Sequence, residues 1–186
     1  MKNFVIDKYT AIFLLLFLSA CTAGDSSFVP FNAPLFDAYD LNPDSATHDQ
    51  VRHLSEQKGK ITVLYFTSYG CSYCITHFPY FYAILEGLGD NVFTSQVELW
   101  LIGYPVAGSK AVDFCKGTVA SCFLDKGYGE GSLYNTYGAN LGDLFLIDRK
   151  LVATKHFNLV TCPMERKECE HNFEGAINRV LADSEK

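Results

Sequence analysis

The sequence predicts an α/β domain built as a central mixed sheet flanked by helices, and three patterns carry that prediction. An apolar, β-branched and aromatic run at 61–67 is followed by a helix-like stretch and a second apolar run at 97–102, the order of a parallel strand-helix-strand unit. Two more apolar runs, at 144–147 and 151–154, are joined by Asp148-Arg149-Lys150. Strands so close in sequence must be antiparallel. Near the end, Phe173, Ala176, Ile177, Val180 and Leu181 recur three and four residues apart, the spacing of an amphipathic helix laid on a sheet.

The elements follow in order. Residues 1–20 read as an export signal, because Lys2 and Lys8 precede an unbroken apolar run at 11–18 that is too short to remain as a membrane span. Leu18-Ser19-Ala20-Cys21 resembles the lipobox of bacterial lipoproteins, which implies a lipid on Cys21 and a membrane-anchored protein of the bacterial cell envelope. Cleavage after Ala23, with a secreted soluble product, is the alternative. Residues 21–44 interleave Pro30, Pro34 and Pro43 with Phe28, Phe31, Phe36 and Tyr39, and read as a tether whose second half packs on a domain spanning 45–186. A hydrophobic content of 48% gives one domain of this length a core without help from metals.

Within the domain, 47–57 reads as a short helix with Ser45 or Thr47 as cap and Val51 and Leu54 on one face. A strand at 61–67, a helix at 71–88 and a strand at 97–102 come next, and 109–116 reads as a helix capped near Ser109. The glycine-rich stretch 124–138 reads as loop, apart from a short helical piece at 133–137. The hairpin and a closing helix at 170–182 complete the domain.

Chemistry concentrates at Ser68-Tyr69-Gly70-Cys71-Ser72-Tyr73-Cys74, where strand hands over to helix. A Cys-x-x-Cys pair alone is also half a zinc site. At a helix N-terminus, however, unpaired N–H groups and the positive end of the helix dipole favour a thiolate, lowering the usual thiol pKa of about 8.5 toward 7 or below. Cys71 is then the attacking sulfur and Cys74, one turn inward, the resolving one. Of the 7 cysteines, setting Cys21 aside leaves Cys115, Cys122, Cys162 and Cys169 as structural disulfide candidates in an oxidising compartment. Cysteines seven positions apart in one helix lie about 10 Å apart. A bridge spans at most about 7 Å, so the chain must turn between any such pair, and three connectivities remain open. The net charge of −6 argues against a nucleic-acid partner.

The succession of strand, Cys-x-x-Cys at a helix start, strand, helix, antiparallel strand pair and closing helix resembles the thioredoxin fold. Pro79, five residues after Cys74, is similar to the proline that kinks the active-site helix of that family. The residues Ile61-Thr62-Val63-Leu64, with the stretch from Leu133-Tyr134-Asn135-Thr136-Tyr137-Gly138 to Asp143-Leu144-Phe145-Leu146-Ile147-Asp148-Arg149, resemble the N-terminal domain of selenoprotein P. In that family a selenocysteine usually stands where this chain has Cys71. The resemblance implies a redox role. It does not imply selenium transport, since the chain carries no selenocysteine-rich segment.

Three departures from the thioredoxin pattern stand out. Leu141-Gly142-Asp143 replaces the region of the cis-proline, Tyr65 stands where a buried acid helps deprotonate the second thiol, and Tyr69-Gly70 replaces the tryptophan before the motif. The expected chemistry is thiol-disulfide exchange with a protein or small-molecule disulfide and a separate redox partner, without metal or organic cofactor. Peroxide reduction through a sulfenic acid on Cys71 is a variant. The rival readings are a soft-metal (copper) binding lipoprotein, with His77 or His156 assisting Cys71 and Cys74, and a non-catalytic domain with three structural disulfides. His77 is more readily a packing residue than a base, and the aromatic run Phe78-Pro79-Tyr80-Phe81-Tyr82 more readily core than a ligand pocket.

Overall fold

The computed structural model of the chain describes residues 28–89, 91–105, 113–127 and 129–183. The export signal, Cys21 and the start of the tether lie outside the described residues. In chain order the elements are β1 (Phe31–Asn32), β2 (Asp37–Tyr39), β3 (Val51–His53), a 3-10 turn (Leu54–Gln57), β4 (Ile61–Thr67), α1 (Ser72–Glu86), β5 (Val97–Gly103), β6 (Ser121–Leu124), α2 (Leu133–Tyr137), β7 (Asp143–Ile147), β8 (Val152–Asn158) and α3 (Lys167–Ala182).

β4 is buried along its whole length, which explains its unbroken apolar sequence: both faces of the strand are covered. It pairs in parallel with β5, which pairs in parallel with β6, and on its other side it pairs antiparallel with β7. β8 and β1 follow antiparallel, giving one mixed sheet in the order β1-β8-β7-β4-β5-β6, while β2 and β3 form a small second sheet. The turn at 148–151 joins β7 to β8 as expected, with Leu151 in the left-handed region at φ 63°.

The two faces of the sheet take alternate residues of each strand. On one face Ile61, Val63 and Tyr65 meet Phe78, Phe81 and Leu85 of α1 and Phe173, Ala176 and Ile177 of α3. The rings of Phe81 and Phe173 stand 5.3 Å apart where the helices meet. On the other face Leu64, Phe66, Trp100, Phe123 and Phe145 lie beneath α2 and the segment from Phe28 to Leu54. That segment is part of the fold from Phe28 onward, because Phe31 and Asn32 extend the sheet edge opposite Ala153 and Val152. Asp40, fully buried, accepts hydrogen bonds from Cys122 N (2.9 Å), Asn42 N (3.1 Å), Ser45 Oγ (2.7 Å) and Thr47 Oγ1 (2.6 Å), and so ties the segment to β6.

Several expectations are corrected. Residues 47–57 do not form a helix, because the hydroxyls of Ser45 and Thr47 are drawn to Asp40, Asp49 turns the chain at φ 62°, and Val51–His53 pairs with β2. Only Leu54–Gln57 is helical, as one tight turn. The expected helix at 109–116 lies mostly outside the described residues, and its described end at 113–116 is turn. β6 was not anticipated, α3 starts at Lys167 rather than at 170, and β8 runs on to Asn158.

Candidate functional site

The site forms where β4 ends. The carbonyl of Thr67, its last residue, accepts hydrogen bonds from Tyr104 N (2.7 Å) and from the Tyr134 hydroxyl (2.7 Å), so the strand end is tied to β5 and to α2. Ser68 O accepts from Cys71 N (3.0 Å), closing the turn that delivers Cys71 to the head of α1. Cys71 is the N-cap residue, extended at φ −89° and ψ 97°, and its Sγ accepts from Cys74 N at 3.1 Å. A sulfur there does what a Ser or Asp oxygen does at other helix starts, and the bond strengthens when the sulfur is anionic.

The two cysteines differ in access. Cys71 is half-buried, whereas Cys74 is 1% exposed, facing the aromatic core between α1 and the sheet. They are joined in a disulfide with Cα atoms 5.2 Å apart, within the range a bridge allows. α1 continues past Pro79 to Glu86, so the proline lies inside the helix as expected and deprives one carbonyl of its N–H partner. Of the aromatic run, Phe78 and Phe81 are core, whereas Tyr80 is exposed beside α3.

The loop before β7 packs against the strand end that leads to the site. Gly142 N donates to Phe66 O (2.8 Å), and Gly142 O accepts from Leu159 N (2.9 Å), so Leu141-Gly142 lies against the end of β4. Among the described residues no peptide bond is cis. Asp143 is buried beside it, accepts from Asn140 N (2.7 Å) and Asn158 Nδ2 (2.6 Å), and has His156 Nε2 3.0 Å from its carboxylate. Burial alone would raise its pKa, but these donors hold it below the ordinary carboxylate value.

The other sequence candidates are dispersed. His77 Nδ1 is paired with Glu165 in the loop before α3, and the Tyr73 ring lies 5.4 Å from it. His156 stands with Phe145 and Phe28 on the opposite face of the sheet from α1, so the two histidines do not converge on the cysteines. Cys115 pairs with Cys122 and Cys162 with Cys169, with Cα separations of 6.3 and 5.5 Å, and in each case the chain turns between the partners. Tyr65 is buried beneath α1 with its ring stacked on Phe78 at 6.1 Å. Sequence reasoning missed Thr67, Tyr134 and Gly142 as residues that fix the site. Gly142 alone carried a signal, as the glycine of a loop that must turn against a strand end.

No protein-family model and no curated protein matches the chain. Solved structures do. A Bacteroides thetaiotaomicron protein proposed to be a protein disulfide isomerase is similar at 22% identity with a TM-score of 0.63, over 81% of this chain and 87% of that one. An uncharacterized thioredoxin-like protein from Bacteroides vulgatus is similar at 18% identity and a TM-score of 0.59, over 82% and 88%. A secreted Mycobacterium tuberculosis disulfide oxidoreductase, homologous to E. coli DsbE, is similar at 17% identity and a TM-score of 0.56, over 76% and 95%. At these identities the likeness concerns the fold. With the six-stranded mixed sheet and its flanking helices, it makes this chain a thioredoxin-fold protein that carries a Cys-x-x-Cys pair at the start of α1.

Proposed function

We propose that the protein is an exported thiol-disulfide oxidoreductase in which Cys71 is the nucleophile and Cys74 resolves. The observation that carries this reading is the asymmetry of the pair: Cys71 caps α1 at the surface while Cys74 is sealed behind it. The helix N-terminus stabilises a thiolate on the sulfur a substrate can reach, and the buried sulfur is held for an intramolecular second step. Cys71 thiolate displaces one sulfur of a substrate disulfide to give a mixed disulfide. Cys74 then displaces the substrate and leaves the Cys71–Cys74 bond. Two thiols are oxidised and one disulfide is reduced, or the reverse, and the chemistry draws on no cofactor. The names of the similar solved structures, a disulfide oxidoreductase among them, support the same activity.

The finer readings belong to the same proposal. Residues 1–20 are an export signal, and a lipidated Cys21 tethers to a membrane of the cell envelope a domain that, unlike the expected 45–186, already includes the strands at 31–32 and 37–39. The partners are a disulfide substrate and a redox partner that recycles the pair, and the likeness to the N-terminal domain of selenoprotein P supports an antioxidant use. Cys115, Cys122, Cys162 and Cys169 are structural, being distant in sequence from the α1 N-terminus and bridged locally.

The test is a trapping experiment. Reduced wild-type protein is expected to reduce insulin disulfides, Cys71→Ser to abolish that activity, and Cys74→Ser to accumulate a mixed disulfide through Cys71. If Cys74→Ser captures nothing and wild type leaves insulin intact, the exchange reading is wrong. Limited dithiol should open Cys71–Cys74 before the other bridges, as read by alkylation and peptide mass, since Cys71 is the cysteine seated at a helix N-cap, where thiol exchange is fast.

A further inference from the structure

Two buried hydroxyls on the α1 side of β4 have no hydrogen-bond partner among the described residues, those of Tyr65 and Thr67. Leaving such groups unpaired costs about 1–3 kcal/mol each, so a pair of them side by side on one strand asks for a reason. Both residues are nearly inaccessible, at 0% and 2% exposure, and alternate positions of a strand put them on the same face. Thr67 is at the strand end, next to the turn that delivers Cys71. The ring of Tyr65 stacks on Phe78, which stands one helical turn after Cys74 on the same face of α1, and all of these except Thr67 belong to one contiguous core with Cys74. The two hydroxyls are near one another, though not in hydrogen-bond geometry. Burial pushes the Tyr65 phenol far above its ordinary value, outweighing the opposite pull of the Thr67 hydroxyl, so Tyr65 keeps its proton and is a donor, never a base.

We propose that the hydroxyls of Tyr65 and Thr67 are a buried donor pair that hydrogen-bonds the Cys74 sulfur when it carries charge, an inference that rests on the exchange chemistry proposed above. When an incoming thiolate attacks Cys71 Sγ, a new S–S bond forms there, the Cys71–Cys74 bond breaks, and its electron pair stays on Cys74 as a thiolate. In the opposite direction the Cys74 thiol loses its proton to solvent base, its sulfur attacks Cys71 of the mixed disulfide, and the substrate departs as a thiolate. Either way a negative sulfur appears at a position with 1% exposure, where water cannot solvate it. Preplaced O–H donors in a water-excluded site do that task at no cost of reorganisation.

The neighbouring ionisable groups are otherwise engaged. On α1, His77 is paired with Glu165, the Tyr82 hydroxyl accepts from Val119 N (3.1 Å), and Tyr73 is exposed. In the turn that carries Phe114, Lys116 is paired with Asp113 at the surface. From β7, Leu144 and Leu146 bring no polar group to this face. On this face of β4 the hydroxyls of Tyr65 and Thr67 are the buried polar atoms without a partner among the described residues.

The test titrates Cys74 alone, in full-length Cys71→Ser protein, by thiolate ultraviolet absorbance with the Cys71→Ser/Cys74→Ser protein as blank. Adding Tyr65→Phe should lower the acid dissociation constant of Cys74 roughly tenfold, the size expected for losing a hydrogen bond to a charged group. Thr67→Val should shift it the same way, and Thr67→Ser, which keeps the hydroxyl, should leave it in place. A purely structural role predicts the opposite pattern: Tyr65→Phe removes an unpaired buried oxygen, leaves the titration unmoved and raises the urea midpoint. An unmoved titration in folded Tyr65→Phe overturns the proposal, and if that variant does not fold, an unmoved titration in Thr67→Val does so. No disulfide substrate is involved, so a protein inert toward insulin that still shows the shift would sink the exchange reading alone. An active protein without the shift would sink only this one.

Discussion

Gly142 carries two burdens that no other residue type carries at once. Its φ of 88° lies in the region that L side chains rarely adopt, and a Cβ built on it would stand 2.8 Å from Val160 Cγ2, closer than real contacts come. Its N–H and carbonyl are both committed, to Phe66 O and Leu159 N, so the backbone cannot swing away to relieve either problem. Gly142→Ala should therefore cost about 1–3 kcal/mol of stability, the sum of backbone strain and a displaced side chain. Denaturant unfolding measures it. Adding Val160→Ala removes the clash and leaves the strain, so the double variant should recover part of the loss and not all of it. Full recovery would mean that the backbone tolerates a side chain there. Because this loop abuts the strand end that delivers Cys71, Gly142→Ala should also slow disulfide exchange by more than its effect on folding explains.

Asp40 joins elements that sequence reading kept apart. Its carboxylate binds β6 through Cys122 N, 82 residues away, and gathers Asn42 N, Ser45 and Thr47 around itself. Asp40→Ala would leave a buried N–H of Cys122 unpaired and release the loop that leads into β3. A loss of about 2–4 kcal/mol is expected in urea unfolding, and a loss below 0.5 kcal/mol, the scale of a surface change, would show that water replaces the carboxylate freely. The same contact explains what the sequence could and could not disclose. β4, α1, the β7–β8 hairpin and α3 were legible because each announces itself by its own periodicity, and the Cys71–Cys74 pair was legible because it sits at the junction of two such elements. β6 is four residues long and exists through its pairing with β5, while 47–57 has helical spacing of apolar residues but polar side chains that answer to Asp40. Tyr65 was legible as a departure from the thioredoxin pattern. That its hydroxyl is unpaired depends on what surrounds it in space, which no local pattern encodes.

Three buried or half-buried carboxylates in different parts of the molecule respond to acid in the same direction. Asp40 holds the N-terminal segment to β6, Asp143 joins β7 to β8 through His156 and Asn158, and Glu98 on β5 is bound by Lys60, Trp100 and Arg52, whose guanidinium also lies over the Trp100 ring at 5.2 Å. Burial would raise all three pKa values, yet the hydrogen bonds around each one, joined at Glu98 by Lys60 and Arg52 and at Asp143 by His156, more than offset it and leave it below its ordinary value of 3.8, 3.8 or 4.5. A carboxylate with a depressed folded-state pKa binds fewer protons folded than unfolded. Its stabilisation is therefore complete above the ordinary value and is lost as pH falls through the folded one. His53, raised by its bond to Asp37, has the opposite sign, but the pair is exposed and its effect is screened. Stability should thus be nearly level from neutral pH down to about 5 and fall steeply below the ordinary carboxylate values, as read from urea midpoints across that range. Asp143→Asn should be less stable than wild type at pH 7 and should fall less on acidification, because one of the three groups no longer titrates. Equal acid slopes in the two proteins would mean that Asp143 carries a proton in the folded chain as readily as in the unfolded one, and the contacts it makes between β7 and β8 would lose their role in acid stability.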